Sequence, residues 1–260
     1  MGYHSLLPID QLWLLKNANS RESVFSVQFS KEEDQRNGHP AATSFHMSRG
    51  WSDMYPELQF FKDFPEGPRK VATFVTDIPN RGFAGGAIIT KNPPTKNWEV
   101  SERFHPMYGK FTASEDLTVV GRTMGYRSIE VYRYAEVLLI YAEAKAASGG
   151  FDATALSALN QVKRRAAGLD PDTPNAAVDA TSATVQDIID EKGWELAAEH
   201  KRWFDLVRTE TLESAILKRD PSEQVPLVRQ PGKAQYISPI PAEAIATSKL
   251  VQNPQGFKIQ

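Results

Sequence analysis

Proline placement constrains this chain more than any other feature. Nine of its 17 prolines, Pro8, Pro40, Pro56, Pro65, Pro68, Pro79, Pro93, Pro94 and Pro106, precede residue 125, interleaved with glycines such as Gly38, Gly50, Gly67, Gly82, Gly85, Gly86 and Gly109. Each proline removes a backbone donor and fixes φ, so only short elements fit between them. Residues 1–125 therefore read as a loop-rich region with a short strand over Ser23–Ser30, another over Val71–Thr76, and irregular chain over Lys31–Met54.

From Tyr126 the pattern turns helical. Over Ser128–Ser148, Val131, Tyr134, Leu138, Tyr141, Ala142 and Ala146 recur at three- and four-residue spacing, with Val137, Leu139 and Ile140 on the opposite side. That spacing predicts a helix buried on most of its circumference and ended by Gly149-Gly150. A second helix is predicted over Thr154–Ala167, with Leu156, Leu159, Val162 and Ala166 on one face, Lys163, Arg164 and Arg165 in its last turn and Gly168 as its stop. The glycine link makes the two an antiparallel hairpin. Thr184, with Asp187 three residues on, forms a capping-box pattern that opens a long helix over Val185–Thr209, interrupted at Gly193. The tail from Asp220 reads as an extended strap with one short helix. The expected fold class is mainly α: a loop-rich region with short strands over 1–125, and a helical scaffold with its strap over 126–260, integrated in one domain.

Composition removes several functions. At 260 residues and 41% hydrophobic, the chain has ample apolar side chains for a core. Thirty basic against 32 acidic residues leave a formal charge of −2, no field with which to hold nucleic acid or an anionic membrane. With no cysteine there is no disulfide, thiolate metal site, thiol nucleophile or thiol-borne lipid in this sequence. The longest apolar run, Val137–Ala142, falls far short of the ~20 residues that span a bilayer, and Met1–Leu6 lacks the basic start and apolar stretch of a signal peptide.

The chemistry-bearing residues sort the same way. His4, His39, His46, His105 and His200 never fall at a metal-binding spacing, and Asp170, Asp172 and Asp179 lack the regular spacing of a calcium loop, so neither metal nor cofactor is expected. Glu195, Glu199, Arg202, Asp205 and Arg208 follow at spacings of four, three, three and three, which predicts an ion-pair ladder along one helix edge. Acids held in that way stay ionised and make poor general acids, so no catalytic residue is assigned. The irregular half carries the remaining signal. Phe45, Trp51 and Tyr55 bracket a Gly-Trp-Ser-Asp segment with Arg49 and Asp53 interleaved, and Trp98, Phe104 and Tyr108 lie in a second stretch. Flat rings on loops offer apolar faces to the C–H faces of sugars, while the neighbouring polar groups bond hydroxyls. Trp51 leads this glycan-binding set, since Gly50 and its polar neighbours favour exposure. The competing reading is that such rings plug the edges of the core.

Five collinear blocks then resemble the SusD/RagB family of surface glycan-binding lipoproteins: Glu22–Phe29, Arg133–Ala144, Ala158–Gly168, Glu195–Arg208, and Pro239–Pro241 followed by Gln252–Pro254. The resemblance implies tetratricopeptide-like helical hairpins beneath a loop-bearing region. It implies non-catalytic capture of an oligosaccharide or polysaccharide for nutrient uptake, at the cell surface on the outer membrane, together with a SusC-like TonB-dependent transporter. It spans nearly all of this chain but about the C-terminal half of a typical member, which implies that the family's N-terminal half, export signal and lipid-bearing cysteine lie outside this sequence. His200 stands where the family usually has glycine, and Lys192-Gly193 where it usually shows arginines. Two other functions remain as alternatives: a helical-repeat adaptor for other proteins, and a glycoside hydrolase. A hydrolase needs two carboxylates roughly 5 to 9 Å apart across a cleft, and the sequence names no such pair.

Overall fold

The computed structural model describes residues 3–30, 32–35, 54–79, 95–101, 104–110, 126, 128–223, 232–233 and 236–252. In chain order these form β1 (Ser23–Val27), α1 (Leu58–Asp63), α2 (Pro68–Thr73), β2 (Phe74–Val75), β3 (Asp77–Pro79), β4 (Thr95–Asn97), β5 (Met107–Tyr108) and β6 (Ile129–Arg133), then α3 (Tyr134–Ala147), α4 (Ala153–Ala166), α5 (Val185–Glu195), α6 (Arg202–Arg208), α7 (Leu212–Leu217) and α8 (Ala242–Ser248). The fold is mainly α, with a loop-rich part that carries three antiparallel strand pairs, β1–β6, β2–β5 and β3–β4.

Local signals place the helices. Asp152 caps α4 by accepting from the backbone N–H groups of Thr154 and Ala155 at 3.0 Å each, and the capping box of Thr184 and Asp187 opens α5 as expected. Gly149 and Gly168 adopt φ of +72° and +75°, conformations that close α3 and α4 at no steric cost. Helices α3 and α4 form the expected hairpin and α5 packs across α3. Leu138, Leu139 and Ala142 of α3 meet Leu159 and Val162 of α4 and Ile188 of α5 in the main core. Each fully buried leucine, valine or isoleucine there contributes about 1.5–3 kcal/mol.

A second core is aromatic. Rings of Phe61 and Phe64 stand edge-on to Phe74 at centroid distances of 5.1 and 4.9 Å, Tyr108 stacks on Phe74 at 5.7 Å, and Trp98 meets the edge of Phe61 at 5.6 Å. Much of the aromatic content of the loop-rich half thus goes into an interior that short elements could not otherwise build.

Four elements depart from the sequence reading. Residues 129–133, expected as the first turn of a helix, are strand β6, because β1 supplies a pairing partner and Ile129, Val131 and Tyr132 suit an extended chain. Over Val71–Thr76, expected as strand, α2 continues to Thr73 and only Phe74–Val75 extend, since Pro68 at the first helical turn starts a helix. The long helix expected over 185–209 is broken between α5 and α6, where Ala198 and His200 take φ of +64° and +59°. Helix α3 is not covered on most of its circumference: Val137, Ile140 and Tyr141 are more than 40% exposed. Of the tail, residues 220–223, 232–233 and 236–252 are described, and there α8 is followed by Gln252, which bonds both the N–H and the C=O of Ile240.

Candidate functional site

The predicted charge ladder is divided between two clusters by the break before α6. Glu195 and Glu199 point inward. Arg133 Nε donates to Glu199 (2.7 Å), and its Nη1 reaches Glu22 (2.9 Å) and Glu195 (2.6 Å). Arg165 pairs with the same Glu22 and Glu195, Arg69 with Glu191 and Glu195, and Lys110 Nζ donates to Glu199 and to the Glu195 carbonyl at 2.8 Å each. Four cations face four carboxylates, none more than 9% exposed. Burial opposes ionisation of Glu195, yet Arg165, Arg133, Arg69 and Lys110 hold its carboxyl well below the usual range, and Arg133 with Lys110 does the same for Glu199. Burial depresses Lys110 despite its carboxylates. The Trp13 ring lies 5.3 Å from Lys110 Nζ and 5.7 Å from the Arg133 guanidinium.

Asp205 and Arg208 belong to the other cluster, where they form the one i,i+3 pair of the expected ladder (2.6 Å) and close a square with Glu143 and Lys192. Arg202 lies flat on α5, donating to the Ile189 carbonyl at 3.0 Å with Asp190 at 3.7 Å. A methyl group at Gly193 would come within 3.1 Å of Arg202 Nη1, so this mid-helix glycine makes the space that Arg202 occupies.

Both clusters tie elements together rather than offering a reactive group. Sequence spacing missed Arg69, Lys110, Glu191, Lys192 and Glu143, because their partners come from distant elements; the available signal was charge set within apolar helix, as with Glu143 in Tyr141–Ala144.

A groove of about 890 Å³ opens between β6, α3 and α6. Tyr132, Ile140 and Phe204 give it apolar walls, and Glu130 and Glu136 reach into it. Burial raises both carboxyls, although Ser23 Oγ donates to Glu130 (2.7 Å) and Lys201 Nζ lies 3.1 Å from Glu136. Lys201 also sits 4.2 Å over the Tyr132 ring and donates to the Val131 carbonyl (2.6 Å).

Of the candidate glycan residues, Phe45, Arg49, Trp51 and Asp53 lie outside the described residues. Tyr55 is half-buried with its ring 5.3 Å from that of His105, which in turn bonds Glu223. Trp98 is half-buried against Phe61, while Phe104 beside it in sequence is 62% exposed. Among the described residues, no group of three or more His, Asp or Glu side chains could hold a metal ion, and no helix is long and apolar enough to cross a membrane.

The SusD family model matches residues 68–256, nearly three quarters of the sequence and four of the five blocks above. The chain belongs to the SusD family. Among solved structures, it resembles Surface glycan-binding protein A from Bacteroides uniformis (24% identity, TM-score 0.66, 98% of this chain and 54% of that one). It resembles a SusD homolog from Bacteroides thetaiotaomicron with a TM-score of 0.70 at 19% identity, over 97% of this chain and 56% of that one. Surface glycan-binding protein A from Bacteroides thetaiotaomicron, in complex with laminarihexaose, matches with a TM-score of 0.67 at 19% identity over the same shares. At these identities the likeness establishes the SusD fold, and the chain spans about half the length of the structures it matches. No curated protein matches the sequence.

Proposed function

We propose that this chain binds an oligosaccharide or polysaccharide on its loop-rich side, without cleaving it, and serves nutrient uptake at the cell surface beside a SusC-like TonB-dependent transporter of the outer membrane. Membership of the SusD family carries the reading, and the fold neighbour solved with laminarihexaose supports it. The chemistry agrees. The four cations and four carboxylates around Glu195 are buried and paired with one another, while rings with short polar side chains are the combination that holds a sugar by stacking and hydroxyl bonding.

Trp51, Tyr55, Phe45, Arg49, Asp53 and Trp98 are the residues proposed to contact the glycan. Trp51→Ala and Tyr55→Ala are expected to weaken laminarihexaose binding by about twofold or more in calorimetry, the loss of one stacking face, with far-UV circular dichroism unchanged. Unchanged affinity in both variants rejects the assignment of these residues. Release of reducing ends from a polysaccharide by the purified chain would overturn the non-catalytic reading, and failure of a co-expressed transporter to retain the chain in a pull-down would remove the proposed partner.

A further inference from the structure

Tyr55 and His105 each precede a buried proline, Pro56 and Pro106. Proline disfavours helical backbone in the residue before it, so both side chains leave extended chain of restricted φ and ψ. Pro56 leads into α1, whose start is held by Glu57: its carboxylate accepts from the Phe60 N–H at 2.8 Å. Pro106 leads into the buried Met107 of β5. Two such backbones leave only the ring torsions open, and the rings meet, with centroids 5.3 Å apart and planes tilted by 55°. The pair lies at the surface, since Phe104 next to His105 and Met54 next to Tyr55 are both exposed.

The His105 ring is held from the end of the helical scaffold. Its Nε2 donates to the carboxylate of Glu223, in the turn Pro221–Glu223 beyond α7. The other oxygen of Glu223 accepts from the Leu58 N–H, at the first residue of α1, at 3.0 Å. Glu57 reciprocates by accepting from the Asp220 N–H at 2.7 Å, and Lys62 in the last turn of α1 pairs with Asp220 at 2.5 Å. Burial opposes ionisation of Glu223, yet the bonds from His105 and the Leu58 N–H hold its carboxyl below the usual range, which makes it a charged acceptor. The turn is thus clasped to α1, and through Glu223 it fixes the ring that backs Tyr55.

We propose that His105, held by Glu223, is a positioning residue of the glycan site, which sets the Tyr55 ring in its stacking orientation before the sugar arrives. The consequence for affinity rests on the glycan reading of Tyr55; the geometry does not. A ring that is already immobile loses no torsional freedom on binding, a difference of about two- to tenfold in affinity for one side chain.

The test uses the full chain labelled with 3-fluorotyrosine and read by fluorine NMR, the Tyr55 signal being identified by its loss in Tyr55→Phe. Without sugar, His105→Ala and Glu223→Leu are expected to shift or broaden that signal. Asp152→Ala, which removes the cap of α4, should lower the unfolding temperature and leave the signal in place, so loss of stability alone does not imitate the effect. In calorimetry with laminarihexaose, His105→Ala and Glu223→Leu should each weaken binding about two- to tenfold, and no more than Tyr55→Ala does. Neither should weaken it further in a Tyr55→Ala background, because a positioning residue acts only through the ring it positions. An unmoved Tyr55 signal, additive losses in the double variants, or wild-type affinity in His105→Ala where Tyr55→Ala binds weakly would each overturn the proposal. Full affinity in Tyr55→Ala, or no laminarihexaose binding by the wild type, would instead overturn the glycan assignment of Tyr55, and the fluorine signal would still decide whether His105 holds the ring.

Discussion

Glu195 is fully buried, and the guanidinium groups of Arg69, Arg133 and Arg165 all reach it. In water one exposed ion pair is worth little, but a buried charge stripped of its partners pays the full desolvation cost. Glu195→Gln keeps the volume and removes the charge, which leaves four cations facing three carboxylates plus one neutral amide. We expect a loss of about 3–5 kcal/mol of unfolding free energy in urea titration. Asp187→Asn, at an exposed helix cap, should cost no more than about 1 kcal/mol. Comparable losses in the two variants would mean that the interior cluster holds nothing together. The spacing of Glu195 and Glu199 along the chain suggests an ordered array of charge, and both carboxylates lie in the buried cluster. Their partners were illegible, because Arg69, Lys110, Arg133 and Arg165 approach from four other segments.

At the scale of elements, legibility follows whether the determining signal is local. The α3–α4 hairpin could be read because Gly149, Asp152 and Gly168 act within one turn of where they stand, and the start of α5 because Thr184 and Asp187 cap each other. The break before α6 could not. Neither glycine nor proline marks it; Ala198 and His200 take left-handed φ because turning Glu195 and Glu199 inward and bringing Asp205 to Lys192 requires the chain to bend there. One trace did exist in the sequence: His200 replaces the glycine that family resemblance leads one to expect, and a glycine is what a φ of +59° favours. Relief of left-handed backbone strain is worth about 1 kcal/mol. His200→Gly should therefore stabilise the protein by about that amount in thermal and urea unfolding. A destabilised variant would show that the imidazole's own contacts outweigh the strain.

For the whole molecule, fold and site differ in how far the residues disclose them. Helical periodicity and five blocks of sequence sufficed for the architecture, since the blocks contain Glu22, Arg133, Arg165, Glu195 and Glu199, which meet in one buried cluster. Binding residues leave no comparable trace, because a ring in the loop-rich half has the same composition whether it meets a sugar or, as with Tyr108 on Phe74, a neighbouring ring. The clusters also set how stability varies with pH. Glu195 and Glu199 have folded pKa values below their unfolded ones, so the stability they contribute is fully present above about pH 4 and is lost progressively as pH falls from there through their lower folded values. Glu130 and Glu136 are raised by burial and act in the opposite sense, favouring the folded state at low pH and losing that contribution as pH rises through their folded values. Acidification from neutrality should first stabilise the protein slightly as these two take up protons, then destabilise it steeply below about pH 4. The urea midpoint measured across this range should therefore pass through a maximum on the acid side of neutrality. Glu130→Gln should flatten the shallow limb and leave the steep one, whereas a midpoint constant down to pH 3 would contradict the charge states assigned to the buried cluster.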